Sequence, residues 1–316
     1  MKLGTCRRPR RRSSSLSLPE LEHSKTAVLN SLTSAQSRKT YGHAIEEFIA
    51  WYCSEPRLAL NRIVVLRYRQ FLETGTLAPA TINLRLAAIR RLAYEAADGG
   101  LLSLDLAAGI RRVKGVKHLG FRVGNWLTTQ EGQQLVQSIP RDTMRGKRDA
   151  AMIGLLMGCG LRRAEVAALN VNLIQRREDH WVIVDLVGKA GHVRSVPMPS
   201  WVKDAIDAWT SASGIVSGRL LRCVRKNGDV WGSGLSPNVV WYVVKECAKR
   251  TGILKLAPHD LRRSCARFCH SAGGELEQIQ FLLGHASVLT TERYIGCKQR
   301  FARAVNDCFH FVDNAF

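Results

Sequence analysis

The sequence predicts a mainly α-helical fold with a small antiparallel β-sheet, arranged in two domains, and three observations carry that expectation. Apolar residues recur at helical spacing through most of the 316-residue chain. Asn, Thr, Pro and Gly punctuate these runs where helices begin and end. Only around residues 181–198 does the pattern change, to Val- and Ile-rich segments flanking a Gly-bearing turn. The length and the 46% hydrophobic content allow each domain its own core.

The elements follow in order. Residues 1–24 are rich in Arg and Ser, contain two prolines and show no sustained period, which predicts a basic mobile arm. From Ser34 to Cys53 the residues Tyr41, Ile45, Phe48, Ile49 and Tyr52 recur at helical spacing. Asn61 is placed to cap a helix over 62–73 that Gly75 closes, and a third helix over 80–97 stops at Gly99-Gly100. That third helix sets Leu84, Leu86, Ile89 and Leu92 as an apolar stripe beside Asn83, Arg85, Arg90 and Arg91. A short fourth helix begins near Leu104. These elements define a domain over 25–110, and the basic, Gly-containing, aperiodic stretch 111–125 is predicted to be a linker.

The second domain, 126–316, opens with a helix-start signal at Leu127-Thr128-Thr129-Gln130-Glu131. Helical patterns resume over 146–157 and 162–169. A hairpin is expected from 181–187 and 193–198, with Lys189 at the tip of Gly188-Lys189-Ala190-Gly191. Helices over 200–211, 236–250, 258–271 and 275–283 follow, Pro237 suiting a first turn. A last one, over 298–311, carries Phe301, Ala304, Val305, Cys308 and Phe309 on one side.

The formal net charge is +21 with a sequence pI near 10.1, which suits a polyanionic partner, nucleic acid first. Lys2, Arg7, Arg8, Arg10, Arg11 and Arg12 skew the N-terminus, yet the rest of the chain stays strongly basic without them. Neither a membrane span nor a signal peptide is expected, which points to the cytoplasm and, given the charge, to the nucleoid. Nine irregularly spaced cysteines, several of them (Cys159, Cys247, Cys265, Cys269) inside apolar patterns, read as buried thiols of a reducing compartment. Cys265, Cys269 and His270 lack a second ligand pair at zinc-finger spacing, so no metal is expected.

Six polar residues in the second domain compose one chemistry: Arg162, Lys189, His259, Arg262, His285 and Tyr294. Two guanidiniums offer bidentate, always-charged donors for the non-bridging oxygens of a phosphodiester. His259 and Arg262 stand three apart at a helix start and share a face. A tyrosine, with an ordinary pKa near 10, lies about 4 kcal/mol from its phenolate at neutral pH. Two arginines and a histidine can offset that, since a single preorganised donor is worth about 2.7–4 kcal/mol. Lys189 at a hairpin tip suits a general acid for the departing oxygen, and Glu165 a buried partner orienting Arg162.

The words Cys159-Gly160-Leu161-Arg162-Arg163-Ala164-Glu165, Gly188-Lys189-Ala190-Gly191-His192, His259-Asp260-Leu261-Arg262 and Leu283-Gly284-His285 with Tyr294 resemble those of the tyrosine recombinase (phage-type integrase) family. Cys159 stands where that family often has threonine, and Arg263-Ser264 where it often has a His-Thr pair. The resemblance implies a helical core-binding domain that clamps DNA and a catalytic domain of the tyrosine-recombinase type. It also implies a cofactor-free site-specific recombinase: Tyr294 forms a 3′-phosphotyrosyl link, His259 is the base and His285 bonds the phosphate. As partners it implies paired DNA sites, four protomers and an accessory directionality protein, in the integration, excision or resolution of a mobile element. Arg85, Arg90, Arg91, Arg111, Arg112 and Lys114 are the DNA-backbone candidates. A type IB topoisomerase and a DNA-binding protein that keeps an unused site are the alternatives; the first acts without paired sites and the second forms no covalent adduct.

Overall fold

The computed structural model describes residues 18–54, 59–117, 125–188, 191–253 and 255–295, and the chain divides into two compact units, 1–121 and 122–316. The fold is mainly helical with two small antiparallel sheets.

Within the first unit lie α1 (Leu18–Asn30), α2 (Ala35–Ser54), α3 (Arg62–Thr74), α4 (Pro79–Asp98) and α5 (Leu104–Arg111). The Asn61 side chain accepts from the amides of Ile63 and Val64 at 2.8 and 3.1 Å, a cap worth about 1 kcal/mol. Phe48, Tyr68, Ile45, Leu86 and Leu92 build the core, with Phe48 and Tyr68 edge to face at 5.0 Å.

Three expectations need correction here. The end of the predicted arm, residues 18–24, belongs to α1: Leu21 is fully buried, and Ser24 closes back on the Glu20 carbonyl at 3.1 Å. Residues 1–17 lie outside the described residues. Leu84 is exposed, because α4 turns only Leu86, Ile89 and Leu92 of the predicted stripe inward. The described part of the predicted linker is not free. Val113 is buried, Asn83 exchanges two hydrogen bonds with Val116 at 2.8 and 3.0 Å, Arg69 donates to the Lys114 carbonyl, and Arg90 donates to that of Val113. Residues 113–116 are thus strapped onto α3 and α4, where backbone groups find partners that a solvated linker lacks. Residues 118–124 lie outside the described residues.

The second unit contains α6 (Thr129–Gln137), α7 (Met144–Met157), α8 (Arg163–Ala168), β1 (Ile174–Arg177), β2 (His180–Val187), β3 (Val193–Met198), α9 (Ser200–Ser213), β4 (Cys223–Val224), β5 (Val230–Trp231), α10 (Pro237–Arg250), α11 (Pro258–Ser271), α12 (Leu276–Leu283) and α13 (Val288–Ile295). Thr128 and Glu131 form a reciprocal capping box on α6. From Ala150 to Met157 every residue of α7 is buried, the mark of a helix at the centre of a core. The sheet runs β1-β2-β3, antiparallel throughout. A bulge between Ile183 and Leu186, with Asp185 at φ 49°, shifts the register so that Arg194 stands opposite Leu186. The sequence reading found β2 and β3 and missed α1, β1, β4, β5 and α13. The expected helix over 298–311 lies outside the described residues.

Candidate active site

Arg162 is the N-cap of α8, following Gly160, whose positive φ of 60° and close approach to Leu283 leave no room for a side chain. Glu165, one turn on, is buried and accepts from the Arg162 amide and guanidinium, both at 2.8 Å. It also accepts two bonds from Arg194 of β3, at 3.0 and 2.8 Å. Burial alone would raise the Glu165 pKa, but the hydrogen bonds from Arg194 and Arg162 hold it down at about 2. One carboxylate therefore fixes two guanidiniums.

The end of α12 does the same work through its backbone. Helix C-termini leave carbonyls without intrahelical partners, and cations are favoured there. Three consecutive carbonyls each take one arginine: Leu282 accepts from Arg194 at 3.2 Å, Leu283 from Arg262, and Gly284 from Arg162 at 3.4 Å. Arg262, on α11, is 1% exposed and also donates to the Gly160 carbonyl. Burial first, then the neighbouring Arg162, lowers its pKa to about 10, which leaves it charged at neutral pH.

Beside this cluster stand the aromatic groups. The Tyr294 hydroxyl, on α13, meets both ring nitrogens of His259, at 3.3 Å for Nδ1 and closer for Nε2. His285 packs its ring edge-on to Tyr294 at 4.7 Å, and its Nδ1 lies 3.0 Å from the hydroxyl of the fully buried Thr291. Partial burial and then the Arg262 and Arg162 cations depress His285 to about 4. His259 is lowered for the same reasons, burial first and then Arg263, Arg262 and Arg162. Both imidazoles are therefore neutral at neutral pH, able to accept a proton or to donate one ring N–H.

A cleft of about 500 Å³ opens between the hairpin turn and α12, with Arg162, Arg194 and His285 on its walls. Five of the six singled-out residues thus gather at one place. Lys189 lies outside the described residues, but Gly188 before it approaches Glu165 and Arg194. Of the backbone candidates, Arg85 is paired with Glu47 and Arg90 is tied to the Val113 carbonyl, so neither is the free outward cation expected. Arg91 lies 4.0 Å from Glu95, and Arg111, Arg112 and Lys114 are exposed. Among the described residues no group of three His, Cys, Asp or Glu could hold a metal. No helix there is long and apolar enough to cross a membrane.

Sequence reasoning missed Arg194, Thr291, Arg263 and Arg267. Alternation along β3 carried a signal for the first: Arg194 shares a face with the buried Val196 and Met198, and a charge turned toward a core needs a partner.

The profile of the phage integrase family matches residues 125–300. Tyrosine recombinase slr0733 of Synechocystis is 29% identical over 296 residues, covering 89% of this chain and 92% of that protein. XerC of Xylella fastidiosa is 29% identical over 287 residues, covering 88% and 91%. Among solved structures, XerH bound to a palindromic difH substrate after cleavage superposes with a TM-score of 0.71 at 20% identity, over 89% of this chain and 81% of that one. A lambda integrase dimer on a COC′ core site gives 0.67 at 17% identity, over 89% and 77%. The chain belongs to the phage integrase family, the tyrosine-type site-specific DNA recombinases.

Proposed function

We propose that this recombinase cleaves and rejoins DNA with Tyr294 as nucleophile, and the contact of its hydroxyl with His259 beside three fixed guanidiniums is the observation that carries the reading. Arg162 and Arg262 hold the non-bridging oxygens of the scissile phosphate. His259 takes the phenolic proton as the tyrosine oxygen bonds to phosphorus. Lys189 gives a proton to the departing 5′ oxygen, leaving a 3′-phosphotyrosyl link and a free 5′-hydroxyl. A Thr291 hydroxyl donating to Nδ1 leaves the His285 proton on Nε2, facing the phosphate. Rejoining reverses the step, and because the bond is stored in the ester no nucleotide is consumed.

The first unit, roughly 25–110, is the DNA-clamping core-binding domain in this reading, and 126–316 the catalytic domain. The solved relatives named above are bound to DNA sites, which supports a duplex with specific sites as the substrate. Four copies on two paired sites, with an accessory protein setting direction, would integrate, excise or resolve a mobile element. On a nicked duplex, wild-type protein yields an SDS-stable, protease-sensitive adduct, and Tyr294→Phe yields none while still binding DNA. An adduct undiminished in that variant refutes the assignment.

A further inference from the structure

Three residues of α11 spaced four apart, His259, Arg263 and Arg267, form one face of that helix and meet the end of α13 at three different points. His259 reaches the Tyr294 hydroxyl. The Arg263 guanidinium lies 5.0 Å over the Tyr294 ring. Arg267 donates to the carbonyl of Ile295, the residue after the tyrosine, at 2.9 Å. The His259 contact touches chemistry and the Arg263 contact touches the ring face. The Arg267 contact is to the backbone carbonyl alone.

Arg267 is itself held in place. Its guanidinium stacks 3.9 Å from the ring centroid of Trp126, a planar platform that restricts a long side chain. Trp126 belongs to a segment anchored on α11 and on the turn before it: the Leu127 amide donates to the buried Ser264 hydroxyl at 2.8 Å, and Asn125 donates to the Lys255 carbonyl at 3.2 Å. The Ile295 side chain, buried against Ala266 of α11 and Ile279 and Leu283 of α12, holds the same turn across the helix pair. Arg267 supplies the directional restraint along α11 that apolar packing lacks.

We infer that Arg267, braced by Trp126, is a positioning residue that sets the Tyr294 hydroxyl at the phosphate, without itself touching DNA or the reacting atoms. The inference rests on Tyr294 being the nucleophile. It predicts that the rate of attack by the tyrosine suffers while the phosphate-binding half of the site does not. Misplacing a reacting group by about 1 Å costs on the order of a hundredfold in rate.

The test uses the full-length protein on a nicked duplex carrying the junction mapped from the wild-type adduct, with two readouts. One is the single-turnover rate of adduct formation. The other is strand cleavage by added hydrogen peroxide, whose hydroperoxide anion can attack the clamped phosphate in place of the tyrosine, so that the 5′ oxygen leaves as a hydroxyl. Arg267→Ala should lower the adduct rate roughly a hundredfold, leave duplex binding and peroxide cleavage as in wild type, and be largely rescued by Arg267→Lys, which keeps a donor for the Ile295 carbonyl. Trp126→Leu should give a smaller loss that vanishes in the Arg267→Ala background, since both act through one contact. Arg267→Met and Trp126→Leu carry the test if truncation unfolds the helix. A wild-type adduct rate in Arg267→Ala, or equal loss of adduct and peroxide cleavage, overturns the positioning role. An adduct in Tyr294→Phe overturns the nucleophile reading instead.

Discussion

At the scale of single residues, protonation decides which groups can act. His259 and His285 are partly buried and lie in the field of Arg162 and Arg262, and both bind protons more weakly than the usual 6.5, His285 down to about 4. As pH falls below 6.5 the unfolded chain takes up these protons before the folded one does. The stability due to the neutral rings is therefore complete above 6.5 and is lost as pH falls toward 4. Glu165 adds a loss of the same sign lower down, between 4.5 and about 2. The adduct rate should hold from pH 8 to 6.5 and fall only below that, as His259 is protonated. A rate profile over this range, beside denaturant unfolding at each pH, checks both; an acid limb centred above 6.5 contradicts the depressed imidazole.

At the scale of elements, the C-terminus of α12 organises the site by offering one carbonyl to each of three arginines. Gly284 makes this possible: its φ of 61° turns the chain, and a Cβ there would stand 2.7 Å from the Arg194 Cδ. Gly284→Ala should cost about 1–2 kcal/mol for the left-handed backbone alone. Moving Arg194 also loosens its grip on Glu165, so the adduct rate should drop with the denaturation midpoint. An unchanged midpoint and rate would mean the turn tolerates a side chain. Locally signalled elements were legible beforehand. Asn61, Thr128, Pro237 and Pro258 mark helix starts because capping and fixed φ act within one turn. Short elements such as β1 and β4 were not, because two to four residues show too little period and owe their structure to neighbours.

At the scale of the whole molecule, charge governs the encounter with DNA. A net +21 should make duplex binding steeply salt-dependent. If six to ten phosphates are neutralised, affinity falls by about 10³–10⁵ between 50 and 200 mM salt. Fluorescence anisotropy against ionic strength measures the slope, and a flat dependence would contradict backbone-led binding. Which cations contribute is a separate matter: Arg85 and Arg90 are engaged within the first unit, whereas Arg111, Arg112 and Lys114 are exposed.

The sequence by itself determined the helical class, most helix boundaries, the family and five of the residues that gather in the catalytic unit, since each is written in local pattern or in motif. Only the tertiary structure decided that Arg194 shares Glu165 with Arg162, that Arg267 grips the turn bearing Tyr294, and that residues 113–116 are strapped down. The reason is physical: a charge or backbone group drawn away from water must find a partner, and Arg194 finds Glu165 29 positions away, Arg267 the Ile295 carbonyl 28 away and the Val116 amide the Asn83 side chain 33 away.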